Sequence, residues 1–322
     1  MRTGTGHLTR RGALGAMGAA LLTPRVGFAG GVETLAGAAF GTRWRIVARE
    51  GADLARLRPG IAALFDGIDR VFSPWRAGSA ISRFNAGTGP AQDPALRAVT
   101  GAALAIARAS DGAFDPTVGP LVARWGFGPI ARGGAPDWRA LSLGARSLAK
   151  ARADLTLDLC GIAKGHALDR AAELIRAAGF DDLLFELGGE FLALGRHPDG
   201  RDWRVAVEGP PTRPAPAALR LPAGAAVATS GVWTQSYRRN GRLYSHIVDP
   251  RTRAPAAGGL RAVTVVAEDA TRADGWATAL CAAGETAGPD IAATRDIAAL
   301  FLIETDGGLR QVRTGAIADM IL

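Results

Sequence analysis

Cysteine is almost missing from this chain: Cys160 and Cys281 are its only two. That excludes a disulfide scaffold and any zinc site built on several thiolates, and leaves one optional bridge. Lysine is equally scarce, Lys150 and Lys164 standing against 36 arginines. No apolar run approaches the ~20 residues that span a bilayer; the stretch from Ala13 to Leu22 is far too short. Acids are absent from the first 29 residues, which carry Arg2, Arg10, Arg11 and Arg25 and so supply half of the formal charge of +8. The remaining surplus is too small and too scattered to argue for nucleic acid, which calls for a clustered basic face. It is compatible with a phosphate-bearing small molecule.

What is present is ordinary globular material: 48% hydrophobic and 21% charged residues over 322 positions, enough for one large domain or two intimate ones. Paired arginines before the short apolar stretch in "LTRRGALGAMGAALL", followed by the small residues Gly27 and Ala29, have the layout of a twin-arginine export signal over residues 1–29. No cysteine stands near the cleavage point, so no lipid anchor is expected there. The domain at 30–322 is then expected to be soluble and periplasmic.

Periodicity places the elements. "TRWRIVARE" alternates as a strand with Trp44, Ile46 and Ala48 on one face. Helical stretches run to about Val71, with an interruption at Pro59-Gly60, and from Pro94 to Ala109. "ADLTLDL" reads as a strand leading into a helix on which Ile162, Leu168, Ala171, Ile175 and Ala178 recur, with Gly179 as its stop. Strands follow at "DLLFEL", "EFLALG", "DWRVAVEG", "LYSHIVDP" and "LRAVTVVAED", with Pro210–Pro222 as a surface loop. A helix over Thr271–Ala283 and a closing hairpin, "IAALFLIET" with "GLRQVRTG", complete the chain. Hairpin-like strands interspersed with helices, without regular alternation, predict an α+β fold in one compact unit.

In "RADGWATAL", Asp274 and Thr278 stand four apart on the face that also carries Ala277 and Cys281. A capping carboxylate with a hydroxyl bonded back to the backbone explains that spacing, and so does a pair of oxygens presented to one point in space. Five polar, glycine-rich stretches accompany it: "FSPWRAGSAISRFN", "GAFDPTVGPLVARWGFG", "LDLCGIAKGHALD", "ELGGE" and "SHIVDPRT". Lys164 lies at a helix start, where unpaired amides favour an anion. Gly188 and Gly189 permit either a tight turn or a close approach to a ligand. His246 ends a strand and is either a core group or a base.

In this order the stretches resemble the ApbE family, the FAD:protein FMN transferases, over nearly the whole chain after residue 29. The resemblance implies a T-fold-related unit of antiparallel sheets and helices. It also implies transfer of FMN from FAD to a threonine of a partner protein, with AMP released and magnesium required. Its metal ligands fall on Asp274, Thr278 and the carbonyls of Gly161 and Ala277, hard oxygens of the kind magnesium selects. Its flavin-dinucleotide contacts fall on Phe40, Trp75, Ala113, Phe114, Asp115, Asp158, Lys164 and Val248. His246 becomes the general base, with Asp249 a candidate to orient it. The implied acceptor is an exported or membrane-bound redox protein. A magnesium-dependent FAD pyrophosphatase and a non-catalytic flavin carrier remain as alternatives. Gly275 departs from good helix composition, at ~1 kcal/mol relative to Ala. Cys160 and Cys281, each beside a proposed ligand, are expected near the site and within reach of each other.

Overall fold

The computed structural model describes residues 31–322 apart from 211–213 and 257. The segment 1–29, read as an export signal, therefore lies outside the described residues. Eight strands form one sheet in which every neighbouring pair is antiparallel: Val32–Ala39, Thr42–Arg49, Leu183–Leu187, Glu190–Leu194, Ala226–Gly231, Leu260–Ala267, Ala298–Thr305 and Gly308–Thr314. Their spatial order is their chain order. The helices are insertions into this meander: α1 (Arg58–Phe72), α2 (Ala80–Ala86), α3 (Pro94–Ala109), α4 (Gly119–Arg124) and α5 (Ala163–Ala177) all fall between the second and third strands. Helix α6 (Ala270–Thr294) joins the sixth strand to the seventh. The α+β reading is the observed architecture.

Because side chains alternate along a strand, the sheet is apolar on both faces. Phe185, Leu192, Ala228, Val263 and Phe301 face α1, α3, α5 and α6 in the main core. Leu184, Ala193, Val227, Ala262 and Leu300 face a smaller core under the hairpin of Trp203–Ala206 and Ala218–Leu221. Double burial explains the near-continuous hydrophobic runs in the central strands.

Four readings of local structure need correction. Pro59 does not interrupt a helix; it occupies the first turn of α1, where its missing amide costs nothing, after a 3-10 turn over Leu54–Leu57. "ADLTLDL" is extended but joins no ladder, because Asn85 takes its place: Leu157 N–H donates to Asn85 Oδ1 at 2.7 Å and Asn85 Nδ2 donates to the Leu157 carbonyl at 2.9 Å. The region read as a loop over 210–222 contains the strand Ala218–Leu221. "LYSHIVDP" splits at His246: Arg242–Ser245 pairs with Ser236–Arg239, and Val248–Asp249 pairs with Ala254–Pro255. The expected end of the last helix at Ala283 meets a break within α6, where Gly284 leaves helical geometry at φ 86°.

Candidate active site

Helices α5 and α6 cross on the sheet with almost no space between them. A Cβ on Gly165 would lie 2.1 Å from the Ala270 carbonyl oxygen, so only glycine allows the approach. The crossing is tied by polar groups as well. Gly165 N–H donates to Asp274 Oδ2 at 2.9 Å, and Asp169, on α5, accepts from the N–H groups of Ala270 (2.8 Å) and Thr271 (2.9 Å) at the start of α6. Asp274 is thus not a helix cap. That role belongs to Asp269, which accepts from Arg272 N–H at 2.7 Å. Gly275 has a packing reason: a Cβ there would stand 2.4 Å from Ile106 Cδ1 of α3.

Asp274 is 2% exposed, and its second oxygen, Oδ1, lies 3.7 Å from Lys164 Nζ. Lys164 also contacts Glu190 Oε1 directly. Glu190 reaches this point through strand geometry. Gly188 and Gly189, both at positive φ, make a two-residue turn between Leu187 and Glu190. Leu192 and Leu194 belong to the helix-side core, so Glu190, in phase with them, faces the same way. Its Oε2 is buried without a hydrogen-bond partner. Burial pushes the Glu190 carboxyl up and Lys164 opposes that shift, whereas Asp274 and Glu190 outweigh burial to hold the Lys164 ammonium above its ordinary value. One ammonium is therefore held between two buried acids. Lys150, the other lysine, is occupied structurally, donating to the carbonyls of Asn85 and Leu155.

One turn along α6, Thr278 Oγ1 stands 3.1 Å from Ser230 Oγ, which shares the helix-facing side of its strand with Ala226 and Ala228. The turn before α5 closes the constellation. A Cβ on Gly161 would lie 2.9 Å from Thr278 Cγ2 and 3.3 Å from Phe114 Cε2, so Gly161, Thr278 and Phe114 meet. Asp158 N–H donates to the Pro116 carbonyl at 2.7 Å and Asp158 Oδ1 accepts from Cys160 N–H at 3.0 Å. Asp115 is buried, accepting from Thr117 N–H (2.8 Å) and Thr117 Oγ1 (2.6 Å); burial raises its pKa. Ala113 and Val248 are both buried.

Phe40, at φ 53°, packs edge-on against Phe65 with centroids 5.2 Å apart. Trp75 is 68% exposed, the most exposed large apolar side chain among the described residues. His246 Nδ1 lies 3.2 Å from the Gln235 carbonyl; a carbonyl only accepts, so Nδ1 carries the proton and Nε2 keeps its lone pair. Burial lowers the His246 pKa and the positive charge of Lys164 lowers it further. Asp249 does not orient this ring. Its carboxylate is engaged by Arg251, at 2.9 Å through Nε and 3.3 Å through Nη2. Both cysteines are free: Cys160 is exposed at the turn, and Cys281 is buried in the core, where its thiol is pushed up to about 12.

Glu190, Ser230, Asn85 and Asp169 were not singled out from the sequence. An acid in phase with Leu192 and Leu194 is the signal that marks Glu190; the other three carry none beyond ordinary polar composition.

A family model described as the ApbE family matches residues 40–301. The FAD:protein FMN transferase of Vibrio cholerae is 33% identical over 300 residues, covering 86% of this chain and 89% of that protein. That of Salmonella typhimurium is 33% identical over 298 residues, covering 85% of each. Among solved structures, the flavin transferase ApbE from Vibrio cholerae superposes with a TM-score of 0.81 at 31% identity, over 90% of this chain and 99% of that one. The apo flavinyl transferase ApbE of Pseudomonas stutzeri gives 0.81 at 33%, over 90% and 97%.

Proposed function

The chain belongs to the ApbE family, and from that membership we propose that it is an FAD:protein FMN transferase, joining FMN from FAD to a threonine of a partner protein and releasing AMP. What supports this reading most is the convergence of Gly161, Lys164, Glu190, Asp274 and Thr278 from a turn, two helices and a strand onto one buried point.

The reaction exchanges one phosphorus–oxygen bond for another. The acceptor hydroxyl attacks the phosphorus on the FMN side of the anhydride, the bridging oxygen leaves with AMP, and the hydroxyl proton passes to His246 Nε2. The Gln235 carbonyl holds the ring so that this nitrogen remains a base. Lys164 sets a fixed positive charge against the pyrophosphate, and Glu190 keeps the ammonium in place. Trp75, open to solvent, offers its ring to the flavin plane. Transfer of this kind depends on positioning and electrostatic stabilisation more than on a covalent nucleophile.

The donors at the crossing suit magnesium. Among the described residues no group of three or more His, Cys, Asp or Glu could hold a metal ion; Asp274, Thr278 and the carbonyls of Gly161 and Ala277 instead form a hard, weakly charged oxygen set of the sort magnesium completes with substrate phosphates. When bound there, magnesium would supply positive charge against the negative charge developing on the pyrophosphate oxygens.

The location of the reaction rests on residues 1–29: we place it outside the cytoplasm, with an exported or membrane-bound redox protein as acceptor. No helix among the described residues is long and apolar enough to cross a membrane. Mixing the protein with FAD, magnesium and an acceptor domain tests the whole reading. A covalently fluorescent acceptor is expected; release of free FMN would make the protein a pyrophosphatase, and unchanged FAD would leave only a carrier.

A further inference from the structure

The chain has only two tyrosines, Tyr237 and Tyr244, and both stand on the hairpin Ser236–Ser245 that leads into His246. They belong to a continuous ring stack with the loop after α4. Trp125 lies on Tyr244 at 5.4 Å, Tyr244 on Tyr237 at 5.3 Å and Tyr237 on Phe127 at 5.6 Å, while Phe127 presents its edge to His246 at 6.3 Å. The stack is fixed at its rim, Tyr237 donating to the Trp125 carbonyl and Trp125 Nε1 to the Arg253 carbonyl, each at 3.2 Å. The hairpin is thus a rigid ledge ending at the proposed base.

That ledge carries uncompensated charge. Arg238, Arg239 and Arg242 make no ion pair among the described residues, whereas Arg251 and Arg261 nearby are paired with Asp249 and Glu304. No acid occurs between Glu208 and Asp249 in the sequence and the undescribed residues contain none, while the two acids at the rim of this region are already engaged, Glu285 by Gly259 N–H at 2.6 Å and Glu304 by Arg261 at 2.7 Å. Arg238 and Arg242 line a concavity with Leu243, Ser245, Leu260 and Arg261. Guanidinium groups beside a concavity match planar carboxylates, which they grip in two-point fashion.

We propose that the hairpin Ser236–Ser245 docks an acidic segment of the acceptor protein, next to the threonine that receives FMN. This rests on the transferase reading above. Arg242 and His246 are four residues apart on an extended run at ~3.3 Å per residue, which sets the acidic side chains about four residues from the reacting threonine. A lipid surface fits less well: Tyr237 is the only large apolar side chain exposed on the hairpin, and its hydroxyl is tied down.

Two synthetic peptides test this, one with a central threonine and aspartates four residues to either side, the other with asparagines in their place. Labelling by FAD-loaded, magnesium-supplied protein and binding by fluorescence polarisation are measured for each. The aspartate peptide is expected to show a KM and Kd about ten-fold lower, a difference that shrinks as salt is raised through ~0.15 M. A double variant, Arg238→Glu with Arg242→Glu, is expected to abolish that preference and favour a lysine-bearing peptide, with FAD affinity and melting temperature unchanged. Equal KM and Kd for the two peptides would overturn the proposal, as would loss of FAD affinity in the double variant, or sedimentation of the protein with phosphatidylglycerol vesicles at the same salt. The two readings fail separately: selective binding without labelling refutes the transferase and leaves the docking surface, whereas equal binding and labelling of both peptides does the reverse.

Discussion

Replacing Gly165 with alanine sets two magnitudes against each other. An alanine within a helix is favoured over glycine by ~1 kcal/mol, so on propensity alone α5 would gain stability. The added Cβ would, however, lie 2.1 Å from the Ala270 carbonyl oxygen, 2.6 Å from its carbon and 2.9 Å from Asp274 Cβ. Two backbones cannot interpenetrate, and α5 and α6 would have to part by roughly 1 Å to restore even a tight contact. Overpacking of this sort costs ~1–3 kcal/mol, which leaves a net loss of up to about 2 kcal/mol and a melting temperature lower by up to roughly 6 °C for a domain of this size. The functional loss should be disproportionate. The same displacement stretches the 2.9 Å bond from Gly165 N–H to Asp274 and changes the 3.7 Å separation of Asp274 from Lys164, and misplacement by ~1 Å reduces turnover about 100-fold. Gly67 is the control, because a Cβ there meets only Arg70 Nη2 at 3.9 Å; Gly67→Ala should raise the melting temperature and leave transfer intact. Thermal melts and acceptor labelling on both variants decide the matter. A Gly165→Ala protein with a raised melting temperature and full activity would refute the argument that this crossing holds the site together.

Three further outcomes follow from the same geometry. Asp274→Ala should remove magnesium-dependent transfer by at least about 100-fold while the protein stays folded, destabilised by ~1–3 kcal/mol because Gly165 N–H loses its acceptor; a magnesium titration of labelling and a denaturant melt read the two effects. Glu190→Gln keeps the shape of the side chain but frees Lys164 from its nearest carboxylate, so kcat should fall by about 10- to 100-fold, and stability should fall too, because removing one partner of an ion pair strands the other charge, here left with Asp274 alone at 3.7 Å; unchanged kcat would show that Lys164 needs no such anchor. The pH–rate profile should carry an acid limb below the ordinary histidine value of ~6.5, because burial and Lys164 depress the His246 pKa. The depressed value favours the neutral ring in the folded state, so stability linked to it is fully present above the ordinary value of ~6.5 and is lost as pH falls from there through the folded value. His246→Asn should lower transfer by about 100-fold or more and abolish the limb.

The parts of the fold legible in the sequence are those where one physical signal acts alone. Helix α3 runs from Pro94 to Ala109 as its periodicity requires, with Asp93 accepting from Leu96 N–H at 2.8 Å to begin it. The strand Thr42–Arg49 buries Trp44, Ile46 and Ala48 by simple alternation. Misreadings arise where a distant partner replaces the local rule. "ADLTLDL" has the pattern of a strand, yet its backbone is satisfied by Asn85, 72 positions away in sequence, and no periodicity can announce that substitution. Gly165 and Gly275 look like helix weaknesses in sequence, although each stands where a neighbouring helix presses within 2.5 Å of a would-be Cβ.

The site obeys the same division. Asp274 and Thr278 share a helix face, so their proximity is written in their spacing; their meeting with Gly161 and Ser230 depends on three elements converging, which spacing alone cannot state. Glu190 shows the difference most plainly. In the sequence, "ELGGE" shows two glycines that permit a turn or a close approach to a ligand, and nothing in the stretch says where its last acid points. Only when the turn is closed by Gly188 and Gly189, and the strand phased by Leu192 and Leu194, does that charge point into the core against Lys164. A buried acid with one oxygen unpartnered is costly unless something it faces returns the cost. The scarcity of lysine in this chain fits that pressure: an ammonium on a flexible stem can meet Glu190 and Asp274 at once, where the planar guanidinium used nearly everywhere else would need a wider space.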